Sequence, residues 1–159
     1  MMRFILSVIM LGLITLPALA GQVISGKVVG VTDGDTITVL TPEKKQLKVR
    51  LAEIDTPEKR QPYGKRSKQA LSSLIFGKQV EVESRGKDRY QRTIGKIFLD
   101  GTDINAEMVR RGHAWVYRKY ARDPGLFDLE DEARTQELGL WRLPEVKREP
   151  PWEWRRKHK

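Results

Sequence analysis

The chain has no cysteine, which excludes a disulfide framework and leaves the fold to stabilise itself by packing. No repeat of solenoid period is present, which excludes a stacked-repeat architecture. No basic amphipathic helix is visible either, and this removes the usual means of resting on an anionic membrane surface. Acidic side chains are in the minority, 21 Asp and Glu against 30 Lys and Arg in 159 residues, for a formal net charge of +9. That balance draws polyanions such as nucleic acid, acidic glycans or anionic lipid, without choosing among them. The one long apolar run, Phe4 to Leu16, falls short of the roughly 20 residues a membrane span requires. It follows Arg3 and leads through Pro17 to Ala18-Leu19-Ala20, the form of a secretory signal peptide cleaved after Ala20. The expected mature chain is therefore exported to the periplasm or medium, with no stable membrane association once the leader is gone.

The length suits one domain with a real core. Strand patterns dominate its first half. Val23 to Val31 and Thr36 to Leu40 flank an Asp33-Gly34 turn, a strong hairpin signal. In "QLKVRL" Leu47, Val49 and Leu51 alternate with Lys48 and Arg50, so Arg50 points away from the buried face. Ala70, Leu71, Leu74 and Ile75 then form a helical stripe ended by Gly77. Two more strands follow, "KQVEVES" and "TIGKIFL". A short helix starts at an Asp103 or Asn105 cap and runs to Gly112, and a last one runs from about Phe127 to Leu138. Five strands with a helix after the third suggest a Greek-key barrel of the OB type, mainly β with α. Three regions are expected: the leader (1–20), the barrel domain (21–143) and a basic tail (144–159). The tail carries seven Lys/Arg and three Glu from Arg142 onward. Pro150-Pro151 argue against a helix in it, Trp152 and Trp154 are placed to fold back on the barrel, and the basic end is expected to add nonspecific nucleic-acid affinity.

The Asp33-Gly34 turn carries a second acid, Asp35. Taken alone, Asp35 is a tolerated turn neighbour. "RLAEIDTPE" (50–58) changes that, because it ends the third strand beside the start of the second and brings Asp55 toward Asp35. Two such carboxylates need a compensating cation, and a hard divalent ion is a natural one. Thr56-Pro57-Glu58 also reads as a helix start with Thr as cap, though that reading leaves Asp55 and Arg50 unexplained. In "KDRYQRTIGK" (87–96) Arg92 supplies a second guanidinium. Two arginines facing a metal-bound acid pair are what a phosphodiester transition state demands.

Together "VTDGDTITV", "RLAEIDTPE" and "DRYQR" resemble the staphylococcal nuclease (thermonuclease) family, over about Val23 to Trp141. The resemblance implies a five-stranded OB-fold Greek-key β-barrel packed with about three α-helices. It implies a calcium ion held by Asp35, Asp55 and the backbone carbonyl of Thr56, with Glu58 orienting or deprotonating the attacking water and Arg50 and Arg92 on the scissile phosphate. Arg92 is better read as an electrostatic clamp than as an acid, since its pKa exceeds ~12. The implied activity is endonucleolytic hydrolysis of DNA and RNA, single strands preferred, leaving 3′-phosphate ends, by a monomer. Tyr90 and Tyr117 are expected to contact bases, Tyr120 to assist, and Trp115 to pack. Two departures from the family pattern stand out: a short connection from Glu58 to Tyr63, and Gln91 where the family usually has Gly, a strained position if it requires positive φ. The competing expectation is a noncatalytic OB module that binds nucleic acid or another polyanion. All five charged site positions are present, which favours the enzyme.

Overall fold

A computed structural model describes residues 21–158; the expected signal peptide lies outside them. The first strand, β1 (Val23–Val31), pairs antiparallel with β2 (Thr36–Leu40), and β2 pairs with β3 (Gln46–Leu51). After β4 (Ile54–Asp55) and α1 (Gly64–Ile75) the chain returns as β5 (Gln79–Lys87) on the other edge of β1, followed by β6 (Thr93–Leu99). Parallel pairing of β3 with β6, with Val49 opposite Thr93 and Leu51 opposite Gly95, closes the five strands into a barrel. Closure removes both sheet edges. The short β7 (Thr102–Asp103) extends β6, α2 (Ile104–Arg110) follows, and β8 (Trp115–Val116) pairs with β4. The last two helices are α3 (Gly125–Thr135) and α4 (Pro151–Lys157).

The period-two pattern does what it promises. Val28, Ile37, Val39, Val49, Leu51, Val80, Val82 and Ile97 fill the barrel, and Leu71 and Ile75 of α1 with Met108 and Val109 of α2 cover it. A second apolar cluster of Trp115, Ala133, Leu140 and Trp141 lies beside it, with Tyr63 and Trp152 packed on. Among the described residues no helix is long and apolar enough to cross a membrane.

The two Asp-Gly turns of this chain work differently. Asp100 and Gly101 both take positive φ, 50° and 78°, as a tight two-residue hairpin requires. Asp33 and Gly34 are not among the positive-φ residues. Gly34 is needed for close approach instead, since a Cβ there would lie 2.1 Å from Ser67 Oγ of α1 and 2.8 Å from Thr56 Oγ1. Ordinary packing cannot absorb contacts that short.

One open helix expectation is settled and two change. Asp103 caps α2, accepting from the Ala106 N–H at 3.0 Å, whereas Asn105 is buried. Its amide binds the Ala52 and Gly95 carbonyls and accepts from Ile97 N–H, tying α2 to the turn after β3. The last helix of the barrel region stops at Thr135 because Glu137 adopts φ 52°. The tail, expected to avoid helix, forms α4 starting on Pro151. Proline is disfavoured inside a helix but suits its first position, where its missing N–H costs nothing.

Candidate active site

The Asp33–Asp35 turn and the end of β4 meet at one end of the barrel. Asp35 and Asp55 are both buried, at 5% and 1% exposure. They converge on a single atom, Arg50 Nη2, at 3.1 Å from Asp35 Oδ2 and 2.9 Å from Asp55 Oδ1. Arg50 Nη1 donates to the carbonyls of Leu51 and Ile54 at 2.8 and 3.0 Å. Alternation along β3 aims Arg50 out of the core, and these backbone carbonyls hold it over the acid pair.

Thr56 N–H and Oγ1 donate to Asp35 Oδ2 at 2.9 and 2.8 Å, and Thr36 Oγ1 donates to Oδ1 at 3.2 Å. Thr56 thus caps a carboxylate rather than a helix, and α1 begins eight positions later, at Gly64. Gly64 lets that helix pack onto the loop, because a Cβ there would sit 1.9 Å from the Glu58 carbonyl oxygen.

Burial pushes the Asp55 carboxyl up, opposed by hydrogen bonding from Arg155 and the charge of Arg50. Asp33, which the sequence marks only as a turn residue, is the stronger case. Burial first and the Asp35 charge second raise it to about 6, while its Oδ1 accepts from the Asp35 N–H at 3.1 Å. A carboxyl raised above its unfolded value costs stability when ionised, so its contribution improves as pH falls from 7 through 6 toward 4. Asp33→Asn keeps the acceptor and removes the charge. Urea unfolding in chelator is expected to show it more stable than wild type at pH 7, on the order of 2 kcal/mol, with the gap closing by pH 4. Equal stability at pH 7 would contradict this account of Asp33.

As ligands, two buried carboxylates converging on one point fit a hard cation in kind. Among the described residues, however, no three His, Cys, Asp or Glu side chains are arranged to hold an ion. Further oxygens for such an ion would have to come from backbone carbonyls, water and substrate.

Glu58 is the most open of the acids, its side chain 39% exposed. It receives Arg155 Nη1 of α4 at 2.7 Å, and the same guanidinium grips Asp55 with Nη1–Oδ1 at 3.1 Å and Nη2–Oδ2 at 2.7 Å. Sequence reasoning missed Arg155. Its only visible signal was the basic run "WRRKHK", which looks like solvated charge.

Arg92 Nε donates to Asp88 Oδ2 at 2.7 Å, and Arg92 lies one residue before Thr93, which pairs with Val49 of β3. Its described partners are within its own turn: Asp88, and the ring of the exposed Tyr90. Burial opposes ionisation of Asp88 but is outweighed by the Arg92 side chain and the N–H groups of Arg92 and Tyr90, which hold its carboxyl below the usual range. Gln91 does adopt positive φ, 62°, so the strained turn is real. Tyr117 stacks flat on Trp152 (5.4 Å, 2°) and meets Tyr120 edge-on. Trp115 packs edge-on against Trp141 and Trp152, as expected of a packing residue.

Comparison with known proteins gives a family match and several relatives. Residues 48–143 match the family model described as staphylococcal nuclease homologue. A protein of Haemophilus influenzae named an uncharacterized endonuclease is 44% identical over 135 residues, 84% of this chain and 74% of that protein. An Escherichia coli protein of the same name is 47% identical over 133 residues, 83% and 85% of the two chains. A micrococcal nuclease of Shigella flexneri is 43% identical over 145 residues, 84% and 82%.

Proposed function

Since the chain belongs to the staphylococcal nuclease family, a family of phosphodiester hydrolases, we propose that it is an exported, calcium-dependent, sugar-nonspecific endonuclease. It cuts DNA and RNA, single strands preferentially, leaves 3′-phosphate ends, and works as a monomer. The observation that carries this reading is the convergence of buried Asp35 and Asp55 on one guanidinium nitrogen of Arg50. Such an acid pair is costly to bury unless a cation is part of its design.

Calcium would be held by Asp35, Asp55 and the Thr56 carbonyl, and when bound it supplies a Lewis acid toward a phosphoryl oxygen. The rest is done by the chain's own side chains. Arg50 keeps the two acids together and brings its positive charge to the phosphate, its Nη hydrogens being engaged by the acids and two carbonyls; Arg92, one residue before β6, meets the phosphate from the other strand. Both neutralise charge that grows in the transition state. Glu58, open to solvent and paired with Arg155, orients the attacking water. Tyr90 presents an exposed ring for base stacking, which tolerates any sequence, and Tyr117 adds a second aromatic contact from its stack on Trp152. The leader delivers the protein to the periplasm or medium.

The test is direct. Purified protein is incubated with single-stranded DNA, double-stranded DNA and RNA, with calcium or with chelator, and the product ends are analysed. Cleavage that needs calcium and yields 3′-phosphates is expected, and undiminished cleavage in chelator would sink the metal assignment. Glu58→Gln is expected to lower kcat about 100-fold or more while anisotropy-measured DNA binding in chelator stays at the wild-type level. An unchanged kcat would remove Glu58 from the chemistry.

A further inference from the structure

The C-terminal helix is built into this site. Gln61 is buried and bridges the two segments: its Oε1 accepts from the Glu58 N–H at 3.0 Å and its Nε2 donates to the Glu149 carbonyl at 2.6 Å. Pro151 is buried, and Trp152 lies flat on Tyr117 and edge-on to Trp115. Two anchors, one polar and one aromatic, therefore fix the start of α4, and one helical turn later Arg155 arrives at Asp55 and Glu58. Two neighbouring cations of α4 are spent on the tail itself, Arg156 on Glu153 and Lys157 on Glu149.

The Glu58 side chain needs such support. It leaves a short loop, is well exposed, and Arg155 is its salt-bridge partner among the described residues. A solvent-exposed glutamate without a partner samples several rotamers, and a water-orienting group must hold one. The shape of a guanidinium fork supplies that support. One edge takes both oxygens of buried Asp55, fixing the arginine, and the remaining hydrogen of Nη1 reaches Glu58.

We propose that Arg155 is a positioning residue of the nuclease reaction, which clamps Glu58 against Asp55 so that the carboxylate faces the attacking water. The tail is thus part of the active site, although it lies beyond the family-matched residues 48–143. This inference rests on the nuclease reading above.

The experiment compares the full-length wild type, R155A, R155K, E58Q and R155A/E58Q by steady-state cleavage of single-stranded DNA in calcium, with thermal unfolding of each. R155A is expected to lose about 30-fold in kcat, within the share a positioned general base contributes, with KM within about threefold of wild type. R155K recovers only part, since an ammonium cannot hold both carboxylates in the fork geometry. Added guanidinium restores rate to R155A and none to E58Q. The double variant is no slower than E58Q, because both changes remove one function. Wild-type kcat in both R155A and R155K overturns the proposal, and so do losses that add in the double variant. Faster cleavage by R155A also overturns it, marking α4 as an inhibitory plug. A wild type that leaves DNA intact overturns the nuclease reading itself, a result readily told apart from the others.

Discussion

Arg50→Ala is expected to slow DNA cleavage about 1,000-fold, in line with removal of one preorganised donor from a charge-developing site, and to destabilise the fold as well. Both effects have one origin. Arg50 Nη2 is the atom that Asp35 and Asp55 share, and its Nη1 is fixed by two backbone carbonyls. Removing it takes a phosphate-binding group from the reaction and leaves two nearly inaccessible carboxylates without their common cation. Loss of one partner from a buried ion cluster costs about 3 kcal/mol, and Arg155 relieves only the Asp55 side. The two effects separate in the double variant. Arg50→Ala with Asp35→Asn should recover most of the stability, because Asp35 is the acid left without a cation, read by urea unfolding in chelator, and none of the rate, read on plasmid DNA with calcium. A single variant that still cuts within tenfold of wild type would place Arg50 outside the chemistry.

Glu53→Ala is expected to be among the most destabilising changes in the chain, at about 3 kcal/mol, since it takes one buried acceptor away from three part-buried hydrogen bonds at once. Glu53 stands between β3 and β4 at φ 67°, 5% exposed. Its Oε1 accepts from the N–H groups of Arg122 and Asp123 at 2.6 and 2.9 Å, and its Oε2 receives Arg85 at 2.6 Å. Alanine leaves those part-buried donors without their acceptor, at about 1 kcal/mol each, and also keeps the unfavourable positive φ. Burial would raise the Glu53 carboxyl, but the two N–H groups and Arg85 outweigh it and hold it below its ordinary value. A lowered carboxyl lends stability above its unfolded pKa and loses it as pH falls through the folded one. The deficit of the variant should therefore be largest near neutrality and shrink in acid, measured by urea unfolding at pH 7 and pH 3. Because the Glu53 carbonyl also accepts from Tyr117 N–H at 2.8 Å, the same residue joins the loop carrying Asp55 to the aromatic wall of the site. A loss under about 1 kcal/mol at pH 7, less than one stranded donor costs, would refute this view of the network.

Much of this was legible in sequence because it is periodic or local. Alternation in Leu47–Leu51 set which way Arg50 faces, and the acids of "VTDGDTITV" and "RLAEIDTPE" fall at strand ends where a meander brings them together. Other assignments misread a local signal with two physical uses. Asp-Gly at 33–34 does lie in the hairpin connection of β1 and β2, but Gly34 is small because Ser67 and Thr56 press on it. Thr56 looked like a helix cap, and its hydroxyl serves Asp35 instead. Pro150-Pro151 looked like a helix breaker and is a helix start.

By itself, the sequence determined the barrel, the family and the convergence of Asp35 and Asp55 with Arg50, since these follow from side-chain alternation and from short motifs whose spacing the backbone preserves. Only the tertiary structure decided that Arg155 meets Asp55 and Glu58 across about 100 residues of chain, and that Asp33 is buried enough to be raised to about 6. The physical reason is that charge, unlike apolar pattern, has no period. Which opposite charge a guanidinium finds is fixed by how a tryptophan packs on a tyrosine far from it in sequence, and that is settled only when the chain has closed on itself.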